Sequence, residues 1–377
     1  MCNRRYCRNK SASNKLTILI IPALLIILAL VVPGGASEQS DLIEDPSFLR
    51  VTIGGKLVRL EALTVRRAAA TGRLPIALIA HGTQALGRKD QHTQDYVRQA
   101  RDLARRGWLA VAVMRRGFGR SDGPLPVPLS CTSSSLLERF ESDADDLAAT
   151  FSAIGQRPDA DPTRVIAIGV SAGGAAVTAL SARNPPGLVA IINISGGLRF
   201  KDCPKEDLLV STFRTYGAKS RVASLWIYAE NDSVFRPELV KRMRAAFLEG
   251  GGDARLVTFE PDGKEGHWIF SSGSGRMKWL PEMDGLLPTL KLPTWTDADV
   301  EALTQKLGVK ENFRPFLERY VAAPSEKALA REKGRHYMIE AHGGTIEEAR
   351  QAALESCQRT KPTCEIIMEN DRWLAPE

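Results

Sequence analysis

The stretch from Arg164 to Thr178, Arg-Val-Ile-Ala-Ile-Gly-Val-Ser-Ala-Gly-Gly-Ala-Ala-Val-Thr, limits what this chain can be more than any other. Residues 165–168 are apolar and largely β-branched, the pattern of a strand buried on both faces. Gly169-Val170-Ser171-Ala172-Gly173 follows, and then the small residues Gly174, Ala175 and Ala176 open what reads as a helix. Strand, tight turn and helix form the context a G-x-S-x-G turn needs to push its serine hydroxyl out above a sheet. The flanking glycines let neighbouring backbone approach without a Cβ. The helix start aims free N–H groups and a partial positive charge at whatever binds there. Taken alone, the pattern is also met in a Gly-rich turn with an incidental serine, so the rest of the chain decides.

The 377 residues give room for one large unit and a small one. A hydrophobic content of 44% and a charged content of 25% are those of an ordinary globular chain. The net charge of +7 is unevenly placed: Arg4, Arg5, Arg8, Lys10 and Lys15 precede Ser37, and no acidic residue does. Without those five, the 51 basic residues become 46 against 44 acidic ones, about +2. That balance excludes a nucleic-acid footprint.

The basic head runs into residues 16–32, apolar except for Thr17 and interrupted by Pro22, and then Pro33-Gly34-Gly35-Ala36. Small residues placed for cleavage after Ala36 read as a secretory signal peptide over 1–36. The apolar run is long for a signal and short for a span, so an uncleaved membrane anchor is the competing reading. Either way the positive head stays on the cytoplasmic side and everything after Ser37 is exported, to the periplasm or outside the cell. The exported part keeps Cys131, Cys203, Cys357 and Cys364. An even number in an oxidising compartment allows two disulfides in three connectivities. Cys357 with Cys364 is the local pairing, which leaves Cys131 with Cys203; four free thiols are the alternative.

Residues 37–46 read as a loose polar linker. Residues 48–52, the Gly54-Gly55 turn and residues 56–65 read as a hairpin, and the basic tract 66–73 as a loop. Strands follow at 74–80, 109–114, 165–168, 189–194, 225–229 and 254–259, with helices at 94–106, 134–154, 205–215 and 237–248 between them. This alternation predicts an α/β fold: a mostly parallel sheet covered by helices on both faces, over residues 37–300. In such sheets functional groups gather at the carboxyl ends of the strands. The pattern changes after about residue 309. A helix at 313–321, a strand at 336–340, a helix at 345–357 and a strand at 364–368 predict a small C-terminal α+β unit over 310–377, built as β-α-β.

A serine hydroxyl is a poor nucleophile near neutral pH and needs a base. Of the five histidines, His81, His92, His267, His336 and His342, His267 alone sits in a loop after the last strand of the main sheet, behind Gly263 and Gly266. It is the predicted base, against the plain alternative of a surface histidine. A base needs a carboxylate to fix its tautomer. Asp232, just past residues 225–229, is preferred to Glu230 because it is shorter and one turn residue further out. Its plain alternative is to cap the helix that follows. Serine, aspartate and histidine then occur in the chain order of a known triad. The oxyanion needs two fixed donors, for which the backbone N–H groups of Ala172 and Thr83 are the candidates, with His81 bracing the loop beneath.

Five pieces together carry a resemblance: His81-Gly82-Thr83, the run from Arg115 to Gly123, Gly169-Val-Ser-Ala-Gly173, Tyr228-Ala-Glu-Asn-Asp232 and Gly266-His267. Over residues 48–285 the chain resembles an α/β-hydrolase, nearest the dienelactone-hydrolase-like and prolyl-oligopeptidase-like branches. The resemblance implies the fold, the Ser171–Asp232–His267 triad and hydrolysis through an acyl-enzyme. Dienelactone hydrolases proper use a cysteine nucleophile, and here the residue is Ser171. Residues 312–377 resemble small two-cysteine domains at the ends of bacterial exported proteins, which implies no chemistry. The loop 115–123 has two readings: Arg115 or Arg116 attracts an acidic substrate group, or its Arg and Asp residues pair among themselves.

The expectation is an exported serine hydrolase acting on a small-molecule carboxylic ester. A peptidase or amidase using the same triad is one alternative, and a hydrolase-like scaffold that binds a partner without catalysis is another. No cofactor and no metal are expected, since no His, Cys and carboxylate cluster has ligand spacing. Acyl length, natural substrate and oligomeric state are not written in the sequence.

Overall fold

Twelve residues on either side of Gly54-Gly55 start the fold. In the computed structural model, which describes residues 41–83, 88–124, 130–199, 206–334 and 338–374, β1 (Leu42–Ile53) and β2 (Lys56–Arg67) pair antiparallel along their full length. The strand therefore claims residues 42–46, expected as linker, and Arg66 and Arg67, expected as loop. Ladder bonds run the length of both extensions, and Leu42 alone of the first is buried in the core, so the polar and charged residues around it concealed the strand.

The remaining strands of the main sheet are β3 (Leu74–Ala80), β4 (Leu109–Val113), β5 (Ala160–Val170), β6 (Leu188–Ile194), β7 (Ala223–Ala229) and β8 (Arg255–Phe259). The order is β1-β2-β4-β3-β5-β6-β7-β8, and the six strands from β4 to β8 are mutually parallel. Between them run α1 (Val97–Arg105), α2 (Ser133–Gly155), α3 (Ala172–Ser181), α4 (Glu206–Lys219) and α5 (Pro237–Glu249). The helix expected at 94–106 begins with a 3-10 turn, Thr93–Tyr96. After β8 come α6 (Gly273–Leu286), α7 (Asp297–Leu307) and α8 (Arg314–Ala322).

Strand alternation divides the core in two. Leu78, Val165 and Ala167 face Phe140, Leu147, Phe213, Met243 and Phe247, on the side of α2 to α5. Ala77, Ile79, Ile166 and Ile168 face Leu103, Trp279 and Met283, on the side of α1 and α6. Burying each large side chain stabilises the fold by roughly 1.5–3 kcal/mol. Sheet faces covered on both sides explain why these strands read as continuous apolar runs.

The C-terminal sheet departs from the expected β-α-β unit. Four strands, β9 (Lys327–Glu332), β10 (Met338–His342), β11 (Cys364–Glu369) and β12 (Arg372–Trp373), run antiparallel in the order β10-β9-β11-β12. The crossover through α9 (Ile346–Gln358) joins β10 to β11, but β9 lies between them. One face packs on Ala349 and Ala353 of α9, and the other on Val300, Leu303 and Leu317 of α7 and α8. Cys357 and Cys364 form a disulfide that joins the end of α9 to β11. Cys131 is also disulfide-bonded; Cys203, its expected partner, lies outside the described residues. So do residues 1–40 with the expected signal, and His336. Among the described residues, no helix is long and apolar enough to cross a membrane.

One buried carboxylate ties two loops to the sheet. Glu61 of β2 accepts from Thr93 N (3.2 Å), Thr93 Oγ1 (3.2 Å) and Arg120 N (2.8 Å), and its Oε2 lies 3.2 Å from His92 Nδ1. Burial works to raise its pKa, but the Arg120 and Thr93 N–H groups and the His92 and Arg120 side chains outweigh it and hold it at about 2. A carboxylate with a lowered folded-state pKa contributes stability that is complete above its unfolded value, about 4.5, and is lost as pH falls from there toward 2. Glu61→Gln is therefore expected to flatten the dependence of the urea midpoint on pH between about 4.5 and 2. An unchanged slope would remove Glu61 from the acid response.

Candidate active site

The end of β5 sets the geometry. Ser171 takes φ 54° and ψ −122°, a region an L-residue enters only under constraint. Close packing imposes it. A Cβ on Gly169 would collide with the carbonyl of Gly173, and one on Gly173 would collide with the carbonyls of Ala80 and His81 at the end of β3. Ser171 N–H donates to Ile194 O (3.1 Å), and Ser171 O accepts from Gly197 N (3.0 Å), so the turn is bonded to the end of β6. The side chain has nowhere to go but outward.

Two further loops leave the same edge. After β7 the chain turns so that Asp232, 1% exposed, points back inward. Its Oδ1 accepts from Val234 N (2.9 Å) and Phe235 N (2.8 Å). After β8 a 3-10 turn, Gly266–Trp268, carries His267. His267 Nδ1 lies 3.1 Å from Asp232 Oδ2 and 3.2 Å from Oδ1, and Nε2 lies 3.1 Å from Ser171 Oγ. Since Asp232 can only accept, Nδ1 carries a proton toward it and Nε2 is left to face the hydroxyl. The structure thus brings Ser171, His267 and Asp232 into one hydrogen-bonded chain. Asp232 also ties down the turn ahead of α5, but it does not cap that helix, whose N-cap is Arg236. Glu230 is exposed, and its N–H pairs with Phe259 O.

A cleft of about 60 Å³ opens over the serine, lined by Gly82, Thr83, Tyr96, Ser171, His267 and Trp268 among others. Ala172, first residue of α3, has no carbonyl to donate to within its own helix. Thr83 is exposed at the rim of the same cleft. Larger cavities of about 200 and 700 Å³ lie against Trp295, and neither is lined by Ser171, His267 or Asp232.

His81 is buried and braces the loop, as expected. Its Nε2 accepts from Arg115 N (3.0 Å), so its proton resides on Nδ1, which donates to Gly82 O (2.6 Å). Burial and then the Arg115 guanidinium hold its pKa well below the ordinary histidine value, so the ring stays neutral. Both readings of the loop 115–123 need correction. Arg115 is buried beside Asp143 of α2 (3.4 Å), and Arg116 bonds Asp146 of α2 (2.5 Å), while Asp122 pairs with Arg59 of β2 (3.0 Å). Neither arginine faces the cleft, and their partners lie in other elements. Sequence reasoning passed over Glu265, which accepts from the His267 N–H (2.9 Å). Its position two residues before the histidine was the available signal.

A family model described as serine aminopeptidase, S33, matches residues 76–222, less than half of the chain. No curated protein matches the sequence. Similar solved structures include a dienelactone hydrolase-like promiscuous phosphotriesterase from metagenomic libraries, at 19% identity, with 59% of this chain and 82% of that chain covered and a TM-score of 0.43. An esterase from Pyrococcus furiosus has 14% identity, with 63% and 86% covered and a TM-score of 0.44. A puromycin-hydrolyzing peptidase from Mycobacterium tuberculosis has 18% identity, with 63% and 39% covered and a TM-score of 0.45. The parallel sheet with its strained serine turn, together with the family model over residues 76–222, gives this chain an α/β-hydrolase fold.

Proposed function

We propose that the protein is a serine hydrolase that cleaves carboxylic esters through an acyl-enzyme on Ser171. The observation that carries this reading is the unbroken chain Ser171 Oγ–His267 Nε2–Asp232, with both links at 3.1 Å. Ser171 Oγ attacks the ester carbonyl as His267 Nε2 takes its proton. The carbonyl oxygen becomes an anion that the N–H groups of Ala172 and Thr83 stabilise. His267 passes the proton to the departing alcohol, which leaves Ser171 acylated. Water then attacks the acyl carbon, again giving its proton to His267, which returns it to Ser171 Oγ as the Oγ–acyl bond breaks and the acid departs. Asp232 holds the ring in the required tautomer and stabilises the imidazolium at each transfer.

The small cleft supports a short acyl group, since about 60 Å³ holds only a few water-sized groups. With p-nitrophenyl esters, kcat/KM is expected to be about tenfold or more higher for acetate to butyrate than for decanoate. A preference for the long chain would remove the size argument. The serine aminopeptidase model favours a second reading, amide cleavage by the same groups. Aminoacyl p-nitroanilides assayed beside the esters separate the two, and faster anilide turnover would replace the ester assignment. The basic head and apolar residues 16–32 support export, with cleavage after Ala36 or retention as an anchor. N-terminal sequencing of the exported protein decides between those.

A further inference from the structure

The acid and the base of the proposed triad sit on separate loops, after β7 and after β8. Their separation must hold to a fraction of an ångström if His267 is to meet both Asp232 and Ser171. Two side chains span the gap: Asn231 of the first loop accepts from Asp262 N at Oδ1 (3.0 Å) and donates from Nδ2 to Gly263 O (3.2 Å), and Glu265 reaches back from the second. Glu265 Oε1 accepts from the backbone N–H of Ser233 (3.1 Å) and from that of His267 (2.9 Å), while Oε2 accepts from Ser233 Oγ. Ser233 directly follows the acid, and His267 is the base itself. A backbone bond, Gly266 N to Asn231 O at 3.3 Å, joins the same loops beside the Asn231 side chain, whereas the Glu265 bonds reach His267 itself and the residue that follows Asp232. Burial works to raise the Glu265 pKa, and the Ser233 hydroxyl and the two N–H donors overcome it, so the carboxylate stays ionised and accepts all three bonds.

We propose that Glu265 is a positioning residue: it clamps the loop carrying the acid to the turn carrying the base, and so sets the approach of His267 to both Asp232 and Ser171. The inference rests on the triad reading. The clamp needs acceptors, not charge. In Glu265→Gln the amide oxygen still accepts both N–H groups, and the amide NH2 donates to Ser233 Oγ, whose hydroxyl turns round. In Glu265→Ala all three bonds are lost.

The test is steady-state hydrolysis of p-nitrophenyl acetate by the purified protein and its variants. Glu265→Ala is expected to lower kcat roughly 10- to 100-fold with KM changed less than about threefold, because substrate binding is untouched while the base is misplaced. Glu265→Gln is expected to keep kcat within about threefold of the parent. If Glu265→Ala does not fold, as judged by circular dichroism, Glu265→Asp takes its place. Its shorter arm cannot span both loops, and kcat should fall at least about fivefold. Near-parental kcat in the Ala or Asp variant overturns the clamp, and so does a Gln variant as impaired as Ala. Ser171→Ala in the same assay separates the two failures. If it stays active, the triad reading falls; if it is inactive while Glu265→Ala is not, only the clamp falls.

Discussion

Ser171→Ala is expected to lower esterase turnover roughly 10⁴-fold or more, because nucleophile, base and acid act as a unit and removing one disables the rest. His267→Ala should cost a similar factor, and the double variant little more than either single one. Labelling by a fluorophosphonate should vanish in Ser171→Ala while circular dichroism stays unchanged. A third variant sharpens the result. Ser171 sits at φ 54°, where a side chain costs on the order of 1–3 kcal/mol. Glycine accepts that conformation freely, so Ser171→Gly should be as inactive as the alanine variant yet at least as stable as the parent in urea. Retention of activity within tenfold in Ser171→Ala would end the enzyme assignment as drawn.

The second large effect is structural. Asp102 of α1 is fully buried, and so is Arg276 of α6, whose Nη1 donates to Asp102 Oδ2 at 3.0 Å. Asp102 Oδ1 accepts from the backbone N–H of Ser325, and Arg276 Nη2 donates to Ser325 O (3.2 Å). Beside them Arg106 bonds Asp284 through two nitrogens and Ala322 O (2.7 Å). These bonds fasten the segment leading into β9 to the main sheet's helices. Asp102→Ala strands the buried Arg276 charge and orphans the Ser325 N–H. It is expected to destabilise the protein by about 3–5 kcal/mol, measured by urea unfolding. Asp102→Asn should lose less, since its amide oxygen still accepts one bond. A loss under about 1 kcal/mol in the alanine variant would show that water replaces the carboxylate there.

Much of this was legible in the residues. The serine turn after β5, the six parallel strands and the strand ends carrying Ser171, Asp232 and His267 follow from apolar runs that stop at Gly, Asp and His. Those signals are local, and burial on both faces makes them strong. The missed features depend on partners distant in sequence. Strand β9, Lys-Ala-Leu-Ala-Arg-Glu, has charged ends, and nothing local says that the Lys327 ammonium will be buried against the carbonyls of Tyr320, Val321 and Ala323. Neither reading of Arg115 and Arg116 found their true acceptors, which lie 28 and 30 residues on, in α2. Glu265 resembled any loop glutamate until two loops closed around it.

The neutral ring of His81 has a practical consequence. With Nε2 taken by Arg115 N and Nδ1 committed to Gly82 O, that imidazole holds one tautomer throughout the range in which ordinary histidines change charge. In a nitrogen-15 NMR titration its two signals should stand still and serve as an internal reference for the site.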